Sequence, residues 1–322
     1  VANKMAMSGC DFIEIEDAIA FADESFRGRT APEGKTWLQV LIETSLFRRD
    51  PPPYSEHVDP FNPPPELVRF SFQRFQDHLM ATNLLSKVSG DQINTAFDAG
   101  FPLNFLLYDG QAEYGFHYQY TGLISALSTI YPEKLGVEFA KTLPNWELCW
   151  ERNLTLQESF AESFKWRSKD AFLDDTRELL NRLDDHNVDP LGLLLEVSMT
   201  IDHPFNALRL HERLKQWKMP ERDSHWTHWI NWASREELNQ VERIVSWALS
   251  NSRTADLKHL ELASLVLVWS LTSSHQTLRD RATKALTTLF LSNSSIFIFV
   301  LDKLHDCADP YVVERLYAAA CG

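Results

Sequence analysis

The densest group of residues able to do chemistry in this sequence lies in one short segment of the C-terminal half. His225 and His228 are three residues apart, and Trp226, Trp229 and Trp232 repeat at the same spacing. A histidine pair three residues apart on a helix can bind zinc, but no further ligand stands at a metal-binding spacing. The sequence therefore predicts no metal site here.

The three tryptophans have two interpretations. At helical spacing they usually pack between helices, where their rings bury a large apolar surface. Tryptophan is also enriched among the few residues that dominate protein–protein binding energy. Because the net charge is −14, such a surface suits a protein ligand better than a nucleic acid. We treat His225, Trp226, His228, Trp229 and Trp232 as candidate target-binding residues.

A loop near the N-terminus imitates a phosphate-binding motif. Gly28, Gly34, Lys35 and Thr36 resemble a Walker A loop, but five residues separate the glycines where the motif has four. A phosphate-binding loop also follows a buried strand, whereas the residues before Gly28 have a helical pattern. We interpret the loop as the start of a helix capped by Thr36, and expect no cofactor in this chain.

Catalytic constellations do not stand out elsewhere in the sequence. We find no Ser–His–Asp, Cys–His or paired-carboxylate arrangement at a recognisable spacing. The four cysteines lie far apart, which predicts reduced thiols in a cytoplasmic protein. This chain is therefore predicted not to be an enzyme.

The bulk properties indicate two helical domains. The chain has 322 residues, 44% of them hydrophobic, and only 11 glycines. This is enough apolar surface for two cores, and the long segments of 3.6-residue periodicity favour helix. The sequence contains neither an apolar run of membrane-spanning length nor a signal peptide, so no membrane association is expected.

The N-terminal elements are organised around residues 67–85. Alternation predicts a strand over Leu67–Phe70, and the period changes at Ser71, a predicted N-cap. The helix that follows is predicted to bury Phe72, Phe75, Leu79 and Met80 and to expose Gln73, Asp77 and Thr82. Two helices and a proline-rich segment precede this strand, as in a winged-helix domain, although periodicity alone fits any strand-to-helix junction.

The C-terminal part shows a repeat. Residues 278–286 and 312–320 match in character with an offset of 34 residues, the size of one helical hairpin. Helix pairs of similar size extend back to about residue 116. We predict a mainly α fold in which a winged-helix domain is followed by an α-solenoid of HEAT or TPR type.

The segment VRFSFQRFQDHLMA, residues 68–81, resembles the stretch that closes the winged-helix domain of STAND-type NTPases of the NACHT and related groups. Residues 36–50 resemble the lead-in to that domain. The chain is most similar in character to bacterial antiviral STAND proteins, known as Avs or AVAST. Further segments carry the resemblance at residues 122–139, 219–226, 269–286 and 309–322.

The resemblance implies a domain division and a function. Residues 1–88 would be the winged-helix domain, and residues 89–322 a solenoid sensor that recognises a foreign phage protein. The winged helix would relay this event to an ATPase and an effector upstream in a longer protein, which holds ATP and magnesium and forms a homo-oligomer on activation. Both chain ends have the appearance of cuts, which fits an excised piece.

One residue of the family pattern differs here. NACHT proteins carry a Phe-x-His motif whose histidine senses the β-phosphate of ADP, and the resemblance places Phe72 at that position. Arg74 or Gln73 in the following helix could reach a phosphate instead, so Arg74 is the candidate nucleotide-state relay. The alternative is an ordinary solvated arginine.

Two other functions stay open from the sequence. One is a free-standing protein-binding scaffold, and the other is a nucleotide-binding enzyme based on the imperfect Walker A loop. Walker A and B motifs in the sequence before Val1 would favour the STAND hypothesis over both.

Overall fold

The computed structural model describes residues 1–32, 34–51, 64–88, 90–110, 115–183, 188–233, 239–307 and 309–322, apart from the side chains of Met7 and Asp91. The fold is mainly helical, as predicted, with one small sheet. It divides into two compact units, residues 1–179 and 180–322. The domain boundary predicted at 88/89 lies inside the first unit.

The first unit contains a small antiparallel sheet and several packed helices. Its elements are α1 (Ala2–Ser8), β1 (Ile13–Glu14), α2 (Ile15–Ser25), α3 (Trp37–Glu43), β2 (Phe47–Asp50), β3 (Leu67–Phe70), α4 (Gln73–Leu85), α5 (Thr121–Leu135), α6 (Trp146–Arg152), α7 (Leu154–Ser163) and α8 (Asp174–Asn181), the last of which crosses the boundary between units. Short 3-10 turns occur between α4 and α5, in a stretch that contains Gly90, Gly100 and Gly110. α4 packs on α1 and α5, and α5 packs on α7.

The sheet has the strand order β1-β3-β2, so the last strand lies between the other two. β3 pairs antiparallel with β1, opposing Val68 to Ile13, and with β2, opposing Phe70 to Phe47. The predicted strand over Leu67–Phe70 is confirmed. The proline-rich segment predicted as an enlarged wing, residues 50–65, lies largely outside the described residues.

The loop that imitates a Walker A motif caps a helix. The Thr36 hydroxyl accepts from the Gln39 amide at 3.2 Å, while the Gln39 side chain accepts from the Thr36 amide at 2.8 Å, a complete capping box. Lys35 pairs with Glu43 at 2.6 Å on the surface. The cap predicted at Thr36 is confirmed, and helix α2 precedes the loop, as expected.

The predicted buried face of α4 is correct at Met80, which is buried, and the predicted exposure of Gln73 is confirmed. It is wrong at Phe72 and Phe75, which are 65% and 46% exposed, and at Asp77, which was predicted to face water and is 7% exposed. The residues of the buried face are Gln76, Asp77, Met80, Ala81, Leu84 and Leu85. The N-cap is Phe72 rather than Ser71, and its side chain makes no cap hydrogen bond.

Hydrogen bonding by Gln76 explains this orientation. Its side-chain oxygen accepts from the Phe70 amide at 3.2 Å, and its side-chain nitrogen donates to the Asp11 carbonyl at 2.7 Å. These bonds satisfy backbone groups beside the sheet that would otherwise be buried without a partner. A polar side chain therefore takes a position that apolar periodicity gives to phenylalanine.

Asp77 lies against the first turn of α5. A Cβ atom added to Gly122 would overlap the Asp77 carboxyl, so this position of the carboxyl fits the absence of a side chain at residue 122. The carboxyl accepts from the Gln73 side chain at 3.1 Å. Burial raises the pKa of Asp77 from 3.8 to about 6, against the lowering effect of the Gln73 hydrogen bond.

A buried ion pair joins the later helices of the first unit. Arg167 donates to both carboxylate oxygens of Glu138, at 2.6 and 2.9 Å. The Thr176 hydroxyl donates to the same carboxylate, and all three side chains are buried. The pair thereby connects the segment after α5, the segment after α7 and the start of α8.

The second unit is helical throughout its described length. Its elements are α9 (Pro190–Val197), α10 (Ala207–Gln216), α11 (Met219–Arg222), a π-helical turn (Asp223–Thr227), α12 (His228–Ala233), α13 (Gln240–Asn251), α14 (Leu257–Ser270), α15 (Gln276–Ser292), α16 (Ser294–Leu304) and α17 (Pro310–Cys321). Helices α9, α13, α15 and α17 contact one another successively, as do α10, α14 and α16.

The 34-residue repeat has a structural counterpart in this unit. The matched pairs are Leu278 with Val312 and Ala285 with Ala319. The first member of each pair lies on α15 and the second lies in the same register on α17, and all four residues are buried. Of the matched arginines, Arg281 donates to the Ser246 hydroxyl on α13 at 3.0 Å, and Arg315 donates to the Thr283 hydroxyl on α15 at 3.3 Å. Arg281 on α15 thus bonds to α13, and Arg315 on α17 bonds to α15.

Within the described residues, the structure contains no helix with the length and apolarity needed to cross a membrane. The four cysteines are thiols.

We predict that Asp77→Asn stabilises the first unit more at pH 8 than at pH 4. Because the pKa is higher in the folded state, the folded state binds the proton of Asp77 more tightly than the unfolded state does. Asp77 therefore lowers the free energy of unfolding as the pH rises from 3.8 through about 6. The difference in the effect on unfolding free energy should approach about 3 kcal/mol, measured by urea titration at both pH values. Asp98→Asn, at an exposed position, is the control; an equal effect of Asp77→Asn at both pH values would contradict the assignment.

Candidate functional site

The candidate tryptophans and histidines lie on one helical segment interrupted by a π-helical turn. α11, the π turn and α12 follow one another without a break from Met219 to Ala233. A π turn inserts an extra residue into the helical repeat, which rotates the side chains that follow, and such turns are frequent at functional sites. No sequence signal marks this π turn, so helical spacing alone did not predict which tryptophan would be buried.

Trp226 belongs to the core. It is 0% exposed, and its indole nitrogen donates to the Trp269 carbonyl and to the Thr272 hydroxyl, both at 3.1 Å. Its ring stacks on that of Trp229, with 5.6 Å between the ring centroids and 24° between the planes. The packing interpretation therefore describes Trp226.

Trp229 forms a wall between this core and an open cavity. Its ring is half-buried, and its indole nitrogen donates to a carboxylate oxygen of Asp189. Asp189 is also the N-cap of α9, where it accepts from the Leu191 amide at 2.9 Å. The position of the Trp229 ring is therefore fixed by stacking on one side and by a charged acceptor at its edge.

The cavity has a volume of about 430 Å³, within the range of ordinary ligand pockets. His225 and His228 are exposed and Trp232 is 56% exposed, so the cavity opens to solvent on their side. The described residues that line it are Asp189, Leu191, Ser224, His225, His228, Trp229 and Trp232.

Four of the five predicted target-binding residues line this one cavity, and Trp226 supports it from behind. Sequence reasoning missed Asp189, Leu191 and Ser224. The pair Asp189-Pro190 marks a helix start, because an aspartate cap followed by proline in the first turn is a standard N-terminal signal. The approach of Asp189 to Trp229, 40 residues away, has no such signal.

A hydrogen-bond chain continues from Trp226 into the core. Trp269 accepts from Trp226 and donates its own indole N–H to His211 Nδ1 at 3.0 Å. His211 Nε2 lies 3.2 Å from the Lys303 carbonyl, to which it donates as the neutral Nε2–H tautomer. Burial, and then the charge of Lys215, lower the pKa of His211 to about 4. Both ring nitrogens are occupied, so His211 supports the site structurally.

The described residues contain no group of three or more histidine, cysteine, aspartate or glutamate side chains placed to hold a metal ion. The His225–His228 pair is accordingly described by its place in the cavity wall.

Arg74, the candidate nucleotide-state relay, belongs to a surface cluster of the first unit. It pairs with Glu162 at 2.8 Å, and its guanidinium lies over the Trp166 ring, 4.3 Å from the centroid. Glu162 also accepts from the Trp166 indole at 3.2 Å and from Lys165 at 2.9 Å. Burial raises the pKa of Glu162, but these hydrogen bonds outweigh it and lower the pKa to about 2. Arg74 is thus a paired and stacked surface residue.

Comparison with family models, with curated proteins and with solved structures gave no match for this chain. The relation to STAND NTPases therefore stays a prediction from the sequence.

We predict that Trp226→Ala and Trp232→Ala have very different effects on stability. Removing the fully buried Trp226 ring should cost about 3–5 kcal/mol, because a cavity forms and the hydrogen bonds of its N–H are lost. Removing the exposed Trp232 ring should cost less than about 1 kcal/mol. Thermal unfolding of both variants measures the difference. An equal decrease of Tm in the two variants would contradict the assignment of Trp226 as buried and Trp232 as exposed.

We also predict that the second unit loses stability in acid through His211. Its pKa is lowered on folding, so its contribution is complete above pH 6.5 and is lost as the pH falls towards 4. The loss should approach about 3 kcal/mol. His211→Gln should flatten this part of the pH profile of unfolding, while His225→Gln, at an exposed position, should leave it in place.

Proposed function

We propose that this chain is the non-catalytic recognition and relay region of a bacterial antiviral STAND-type NTPase. In this proposal residues 89–322 recognise a foreign phage protein, and residues 1–88 transmit the event to an ATPase and effector upstream in the same polypeptide. ATP and magnesium would be held by that upstream part, and the activated full-length protein would form a homo-oligomer in the cytoplasm.

The topology of the first 88 residues supports the winged-helix assignment. The element order is helix, strand, helix, helix, strand, strand, and the last strand lies between the first two in the sheet. We take this element order and this sheet arrangement as support for the proposal of a winged-helix domain. Helix α4 then follows β3 after two residues, as in the stretch that the sequence resembles.

The helix contacts of the C-terminal part support an α-solenoid. Alternate helices form two successive series, α9-α13-α15-α17 and α10-α14-α16, as expected when helical hairpins stack on one another. The hydrogen bonds of Arg281 and Arg315, each to the preceding helix of the same series, repeat with the sequence. Both observations favour a repeat of about 34 residues.

The observation that carries the recognition role is the cavity lined by Trp229, Trp232, His225 and His228. Aromatic side chains held beside open space supply large contact areas at low entropic cost, which is why they dominate protein-binding hot spots. A chain of net charge −14 repels the phosphates of nucleic acids, so we propose a protein ligand at this surface.

Arg74 is proposed as the relay residue of the winged-helix part. Its pairing with Glu162 and stacking on Trp166 connect α4 with the segment at the end of α7. A change in the position of α4 would break or restore these contacts. In this proposal, the contacts transmit that movement from the winged helix to the helices that follow.

The test is phage protection by the full-length protein in bacteria. Cells carrying the wild type or Trp232→Ala are challenged with a phage panel, and plaque numbers are compared. We expect Trp232→Ala to reduce protection at least about tenfold, the effect of losing one hot spot of 1.4 kcal/mol. The control is Tyr118→Ala, at an aromatic residue that is 93% exposed in the first unit. The proposal fails if the wild type protects against no phage, or if both variants protect equally well.

A further inference from the structure

We infer that the cavity binds an arginine side chain of its protein partner, with the guanidinium stacked between the faces of Trp229 and Trp232 and paired with Asp189. This inference deepens the proposed function and rests on it for the identity of the partner as a protein. It names the chemical group that the partner must present.

The cavity wall matches a guanidinium in chemistry. Two indole rings line the cavity, and the face of an indole carries a negative electrostatic potential. The Asp189 carboxylate accepts from the indole N–H of one of them, Trp229. The Ser224 hydroxyl, which also lines the cavity, can accept a hydrogen bond from an N–H group. A guanidinium has five such donors in a plane and is weakly hydrated, so it can stack on an indole and bond to a carboxylate at once.

The first unit already contains this arrangement within the chain. Trp166 donates its indole N–H to Glu162, Arg74 pairs with the same carboxylate, and the Arg74 guanidinium covers the Trp166 ring at 4.3 Å. In the cavity, Trp229 donates its indole N–H to Asp189 in the same way. The indole–carboxylate pair that receives Arg74 in the first unit is therefore repeated beside the open space of the second.

A second cluster combines the same three kinds of side chain in the core, although its indole N–H is donated to His211 and not to the carboxylate. Arg222 is buried, pairs with Asp309, and lies over the Trp269 ring at 5.1 Å. Arginine, carboxylate and tryptophan thus occur together in both units, at the surface and in the interior. The carboxylate and the net charge of −14 make an acidic ligand group unfavourable at the same place.

The experiment uses the 322-residue chain with ¹⁵N-labelled indoles, whose N–H signals are followed by NMR. The probes are N-acetyl-arginine amide and its uncharged isostere N-acetyl-citrulline amide, with N-acetyl-lysine amide and N-acetyl-glutamate amide for comparison. We expect arginine amide to shift the signals of Trp229 and Trp232 and to bind at least about fivefold more tightly than the other probes. The Trp166 signal should not move, because Arg74 covers that ring.

Two variants show whether the response comes from the cavity. Asp189→Asn keeps the N-cap and an acceptor for Trp229 but removes the charge, and should weaken arginine amide at least about fivefold. Trp232→Ala should weaken it similarly, whereas Asp98→Asn should have no effect. Equal binding of citrulline amide, tighter binding of lysine or glutamate amide, or an unchanged response in Asp189→Asn would each overturn the inference.

The outcomes separate this inference from the proposed function. If Trp232→Ala abolishes phage protection but arginine amide does not bind, the cavity recognises a protein through another group. If arginine amide binds as expected but the full-length protein protects against no phage, the arginine site stands and the antiviral role fails.

Discussion

Buried charge is the constraint on which the packing of both units depends. A charged side chain leaves water only when an opposite charge meets it with good geometry, and removing one partner costs about 3–5 kcal/mol. Arg167 meets Glu138 in the first unit across 29 residues of sequence, and Arg222 meets Asp309 in the second across 87. Each pair connects segments that are far apart in the sequence, and it adds a directional contact to hydrophobic packing, which has no preferred direction of its own.

The geometry of the candidate site depends on the ion pair between Arg222 and Asp309. Arg222 is the last residue of α11 and directly precedes the π turn, while Asp309 caps α17. With that end of the segment fixed, Trp226 reaches the Trp269 carbonyl, and Trp229 stacks against Trp226. The position of the Trp229 ring, which lines the cavity, therefore depends in part on the packing and hydrogen bonds of Trp226 behind it.

The sequence predicted those parts of the structure that depend on neighbouring residues. The strand at Leu67–Phe70 and the cap at Thr36 follow from local alternation and capping chemistry, and both are confirmed. The buried face of α4 was mispredicted at Phe72, Phe75 and Asp77. Gln76 bonds to the backbone of nearby Phe70 and of Asp11, 65 residues away, whereas periodicity counts glutamine as solvent-exposed. Asp189 was missed at the site for the same reason: its role comes from a tertiary contact.

Preorganisation explains why a site of this kind can be placed on a short helical segment. A ligand that must order flexible side chains loses about 0.5–1.5 kcal/mol for each one, which small contacts rarely repay. Trp229 is already held by the Trp226 ring and the Asp189 carboxylate, so its face is presented before any ligand arrives. Trp232 lines the same cavity and is exposed. Because Trp229 is held in place from behind, a flat cation can bind in the cavity without unpacking the core.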